Sequence, residues 1–158
     1  MSIIIPNCNH ANQMKRDELN SKIKAVEFFS KSFTEQVGFY NSYKYNLCKS
    51  SNERDINDKK FLREKAEKYY ERIIESVYSY ELGVSMIRIY FPDYIKQLDI
   101  DGYEKLLYSI FINDQDEKKS LNDSVCVIDE DYKSKYNALT DKYNIIFAKL
   151  TKIISEGK

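Results

Sequence analysis

A chain of 158 residues, 42% hydrophobic and 32% charged, is long enough to bury one core and too apolar to stay disordered. Lys+Arg and Asp+Glu balance at 25 each, which removes any general attraction to nucleic acid or anionic membrane. With only 4 glycines and 2 prolines there is too little turn chemistry for a many-stranded sheet, and an all-α fold is expected.

Residues 1–12 read as a flexible tail, because Pro6 and its Asn and Ser neighbours disfavour helix; Ile3–Ile5 could anchor it. A first long helix is predicted over about 13–49, capped by Asn12, with Leu19, Ile23, Val26, Phe29 (or Phe33), Val37, Tyr40, Tyr43 and Leu47 on one face. Gly38 inside it costs about 1 kcal/mol relative to alanine, which points to a packing reason. Ser50–Asn57 carries side chains that compete for backbone hydrogen bonds and reads as the turn.

The second long helix, about 58–91, with Asn57 or Asp58 as its cap, has the strongest pattern. Leu62, Ala66, Tyr69, Ile73, Val77, Tyr80, Val84, Ile87 and Phe91 recur at steps of three and four. A second row, Tyr70, Ile74, Tyr78, Leu82 and Ile89, lies beside the first, so this helix is expected to touch more than one neighbour. Antiparallel pairing with the first helix about residue 53 would set Gly38 against Tyr69 and Gly83 against Ala25.

Pro92 should end that helix. Residues 93–115 read as a short helical insert, with Tyr94, Ile95 and Leu98 in one piece and Tyr103, Leu106, Leu107, Ile110 and Phe111 in another. Asp99-Ile-Asp-Gly102 forms the break between them. Asp99 and Asp101 resemble a fragment of a calcium loop but lack the remaining ligands, so a helix cap is the better reading. A polar turn is expected at 113–117. The third long helix, about 121–156, has a coiled-coil-like rhythm from Leu121 through Tyr136, Tyr143 and Leu150 to Ile153. Ser124–Ile128 also reads as a short strand, in which case the helix starts near Asp129. The expected architecture is a single-domain antiparallel bundle of three long helices, with the first and third both packed on the second.

Chemistry is sparse. His10 is the only histidine and sits in the predicted tail. Cys8, Cys48 and Cys126 are odd in number and irregular in spacing, which suggests no disulfide framework, a reducing cytoplasmic setting, and Cys48 and Cys126 as small core residues. Delivery into another cell is compatible with that composition. No basic n-region, 18-residue apolar run, zinc spacing, phosphate loop or nucleophile elbow is present, so no cofactor, metal or membrane span is expected.

Three classes of function follow. The first is a non-enzymatic protein-interaction module of the adaptor, inhibitor, immunity or chaperone-like kind, binding a protein partner or itself. Phe28, Phe39, Tyr45, Tyr70 and Tyr78 are its candidate contacts, because these rings fall off the main stripes. The acidic run Asp99–Asp131 would steer the partner or dock against the basic helices. The second is a nucleic-acid-associated protein using Lys59, Lys60, Arg63, Lys65, Lys68 and Arg72, although Asp55, Asp58, Glu64, Glu67 and Glu71 interrupt that face. The third is an enzyme with a carboxylate and tyrosine site in a helical cleft near Glu75, Glu81 and Asp99.

Overall fold

The computed structural model describes residues 7–120 and 130–156, with side chains described at 10–110 and 133–156. Every element among the described residues is helical: α1 (Asn7–Asn52), α2 (Ile56–Tyr90), a 3-10 turn (Pro92–Tyr94), α3 (Ile95–Leu98), α4 (Ile100–Ser120) and α5 (Glu130–Glu156). The all-α antiparallel bundle is therefore as expected, with three adjustments to its parts.

First, α1 begins at Asn7, so half of the expected tail is helix. Residues 1–6 lie outside the described part. Second, the turn narrows to 53–55, and the cap is Asp55. Its carboxylate accepts the Asn57 and Asp58 backbone N–H groups at 2.8 and 3.1 Å, satisfying donors that a helix start leaves open. Third, the insert is not short. α4 runs 21 residues, straight through the polar turn expected at 113–117. Asn113-Asp-Gln-Asp-Glu117 contains no glycine or proline, and polarity alone does not stop a helix. α5 is described from Glu130; the helix-or-strand question at 124–128 lies outside the described residues.

The Asp99 break and the stop at Pro92 are as predicted. α2 ends at Tyr90, and Pro92 opens the 3-10 turn. Asp99 takes a left-handed conformation (φ 53°), which aspartate tolerates better than most residues. It closes α3 through its own N–H and accepts the Gly102 N–H at 3.2 Å, while Lys142 of α5 donates to its second carboxylate oxygen. The pair with calcium-loop spacing is thus a helix cap tied to a neighbouring helix.

The largest departure concerns which helix lies at the centre. α1 pairs with α2 along its length and also packs on α5, while α5 packs on α4. α1 is the hub and α2 is not. The reason is visible on α1, where Ala25, Ser32, Gln36 and Tyr43 flank Phe29 on one side and Val26, Phe33 and Tyr40 on the other, all buried. Two seams on one helix admit two neighbours.

At the α1–α2 seam, Gly83 lies against α1. A Cβ there would come within 2.8 Å of Ser32 Oγ and 3.3 Å of Phe29 Cα. Gly83 therefore marks a close backbone approach, though at Phe29 and Ser32 rather than Ala25. Gly38 faces open space, with nothing within 4 Å of an added Cβ, so the packing reason expected for it, and its pairing with Tyr69, are not found. At the α1–α5 seam, Phe33 and Tyr143 stack at 3.8 Å between centroids and 8° between planes, and Tyr143 Oη donates to Ser30 Oγ at 2.7 Å. Tyr103 of α4 fills the middle, 5.6 Å from Phe29 and 6.0 Å from Tyr80. Burial pushes the Tyr80 and Tyr103 phenols far above the ordinary tyrosine range.

Cys48 corrects the reading of the cysteines, because it is disulfide-bonded. An odd count leaves one thiol over but does not stop two others from meeting, since distance along the chain says nothing about distance in the fold. The argument for a reducing compartment from cysteine usage falls with it.

Candidate interaction surface

α2 carries apolar side chains on two opposite sides. One side, with Leu62, Ala66, Ile73, Tyr80, Val84 and Ile87, is buried against α1 and α4. The other is the second row. Ile74, Tyr78, Leu82 and Ile89 are exposed to 53%, 73%, 40% and 68%. Steps of four, four and seven keep these four on one face, and the 15 residues from Ile74 to Ile89 cover about 22 Å. Ser85 lies between Tyr78 and Ile89 on the same face. α4 extends the surface through half-exposed Tyr108, beside Glu81. Partial burial first, then the Glu81 and Glu104 carboxylates, holds the Tyr108 phenol above its usual range.

The five aromatic residues singled out from sequence separate into two groups. Phe28, Phe39 and Tyr70 sit in the α1–α2 seam. Phe28 touches the Gly83 position, Phe39 lies under the Arg72 guanidinium at 5.7 Å, and Tyr70 meets the Tyr43 ring at 5.5 Å. Tyr45 and Tyr78 face solvent. Of these two, only Tyr78 belongs to a row. Tyr45 on α1, like Ile145 on α5, has no exposed large hydrophobic residue three or four residues away among the described residues. The five therefore do not form one surface. The residues that complete the row around Tyr78 are the aliphatic Ile74, Leu82 and Ile89.

Charges frame the row. Glu71 and Glu75 are exposed at its N-terminal end, and Glu81 lies one turn from Tyr78 on the opposite edge. Beyond that edge, Arg88 donates to Asp101 at 2.7 Å and to Glu104 at 2.5 Å, clamping α2 to α4. Lys105 acts on the far side, where it helps Lys142 hold the Asp99 carboxyl below its usual range. The acidic stretch after Asp99 thus docks in part against basic side chains of α2 and α5.

Glu75, Glu81 and Asp99, the carboxylates of the enzyme reading, are not gathered into one cleft. Glu75 and Glu81 are exposed on α2, and Asp99 is held by Lys142. Two described clefts lie elsewhere. One of about 580 Å³ is lined by Lys15, Lys22, Tyr94 and Lys149, and one of about 460 Å³ by Ile23, Val26, Phe147 and Ile154. On the mixed-charge face of α2, Lys60 reaches Glu64 at 3.9 Å, an exposed pair within one helix. Among the described residues no group of three or more His, Cys, Asp or Glu side chains could hold a metal ion, and no helix is long and apolar enough to cross a membrane. Buried Gln36, which has no hydrogen-bond partner among the described residues, was missed from sequence because a glutamine on a helix gives no sign of which way it faces.

No protein-family model, curated protein or solved structure matches this chain.

Proposed function

We propose that the protein is a non-enzymatic interaction module that docks a protein partner on the solvent face of α2. The observation that carries this reading is the exposed apolar row Ile74, Tyr78, Leu82 and Ile89, interrupted only by Ser85, on the side of the helix away from its buried face. Single exposed hydrophobic residues are common on soluble proteins. A row of four on one helix face is characteristic of a surface that is covered in use. The geometry suits a helix laid alongside, with side chains at i, i+4, i+8 and i+15 as anchors and the Tyr78 ring as the largest of them. The underlying scaffold is rigid, since α2 is held by α1 along its length and by the Arg88 clamp at its C-terminal end.

The test is affinity capture from the source organism with the natural chain beside Tyr78→Ser/Leu82→Ser, both checked for helicity by circular dichroism. Proteins retained by the natural chain and lost from the variant are expected. Identical recoveries from the two would remove the reading.

A further inference from the structure

The surroundings of the row select the kind of partner. Five carboxylates, of Glu71, Glu75, Glu81, Asp101 and Glu104, border it, against one guanidinium, Arg88, whose charge Asp101 and Glu104 already neutralise. Five less one leaves four net negative charges around an apolar strip on a chain whose overall charge is zero. The nearest cations on the same elements are committed elsewhere: Arg72 lies over the Phe39 ring on the α1 side, and Lys105 acts on Asp99.

Building on the docking reading, we infer that the partner is an amphipathic helix whose apolar positions are flanked by lysine or arginine. An acidic border raises the encounter rate with such a helix and penalises one bearing carboxylates, because like charges brought together at a desolvated rim repel. The same argument disfavours two alternative occupants. A second copy using the same face would bring an identical acidic border against this one, with Glu81 close to its symmetry mate if the helices pair antiparallel through Leu82. An anionic membrane surface would be repelled outright.

Two synthetic helical peptides of about 20 residues test this, long enough to be helical when bound. Both carry leucine at i, i+4, i+7 and i+11. One has lysine at the flanking positions and the other glutamate. Binding is read by fluorescence anisotropy at about 50 mM and about 300 mM salt. The lysine peptide is expected to bind at least about tenfold more tightly than the glutamate peptide, with the preference shrinking at the higher salt. Glu71→Lys/Glu75→Lys/Glu81→Lys should invert the preference. Ile74→Ser/Tyr78→Ser should lose the lysine peptide although its border is intact.

Equal binding of both peptides to the natural chain would overturn the inference and leave the docking surface standing. So would a sedimentation-detected dimer that Ile74→Ser/Tyr78→Ser dissolves, since the occupant would then be a second copy. Failure of both peptides to bind, or undiminished binding of the lysine peptide by the Ile74→Ser/Tyr78→Ser variant, would overturn the docking reading itself.

Discussion

α1 and α2 are both long, both amphipathic, and packed against each other, yet they end in different situations. The apolar arc of α1 is covered on both sides, by α2 on one and by α5 on the other. The apolar residues of α2 lie on two faces, and only one of these is covered. Ile73 and Ile74 make the contrast at its sharpest. They are the same residue type, adjacent on one helix, one in the core and the other half in water. A 100° turn about the helix axis is the only difference between them.

The strongest way to break this comparison is to truncate both. Ile73→Ala should cost about 2–5 kcal/mol, the transfer energy plus a cavity, measured by urea denaturation. Ile74→Ala should change stability by no more than about 0.5 kcal/mol. Similar losses at both positions would mean that the row on α2 is covered within the folded molecule itself.

A second asymmetry is covalent, because α1 alone of the pair carries a disulfide, at Cys48. Reduction, or Cys48→Ser, should lower stability by about 2–4 kcal/mol. Peptide mapping under non-reducing conditions should show the Cys48 peptide joined to a second cysteine-containing peptide, and a free Cys48 thiol would remove the bridge.

The two glycines of the hairpin sharpen the comparison with effects of opposite sign. Gly83→Ala pushes a methyl group against Phe29 Cα and Ser32 Oγ, and overpacking of about 1–3 kcal/mol should outweigh the gain in helix propensity. Gly38→Ala meets nothing, and should raise stability by up to about 1 kcal/mol because alanine is the better helix former. Thermal unfolding of the two variants side by side reads both signs.

The smallest effect concerns the joint that holds α4 to α5. Lys142 first, by its hydrogen bond, and Lys105 more weakly, holds the Asp99 carboxyl below its ordinary value. A depressed carboxylate pKa stabilises the folded state above the unfolded value, near pH 4, and that contribution disappears as the pH falls through the lower folded value. Asp99→Asn retains a side-chain acceptor for the Gly102 N–H and a residue suited to φ 53°, and loses only the charge. At pH 7 the variant should be less stable by about 0.5 kcal/mol, the modest figure expected of an exposed pair, and the difference should vanish as the pH falls through the lowered folded value. A difference that persists at low pH would show that Lys142 is held there by something other than charge.

How much of this was legible beforehand depends on the kind of question. The stop at Pro92 and the break at Asp99 follow from local chemistry, a ring without an N–H and a short side chain that bonds its own backbone, so both could be read from neighbouring residues. The turn at 113–117 was misjudged because five polar residues are equally at home on the outside of a helix. The candidate surface was half visible. Its periodic row, with Tyr78 in it, stood out from the start, but Phe28, Phe39 and Tyr70 belong to the seam, and nothing along the chain separates a ring bound for a neighbouring helix from one bound for water.

By itself the sequence determined that the chain is helical, where its helices run to within several residues, and which side chains share a face, because helical repeat and backbone chemistry act over a few residues. Only the tertiary structure decided that α1 rather than α2 occupies the centre, that Cys48 is bridged, that Gly83 is crowded and Gly38 free, and that the second row of α2 is left facing solvent. Each of those depends on which helix lies opposite. That choice is made by whole surfaces competing for burial, and the spacing of residues along one helix does not contain it.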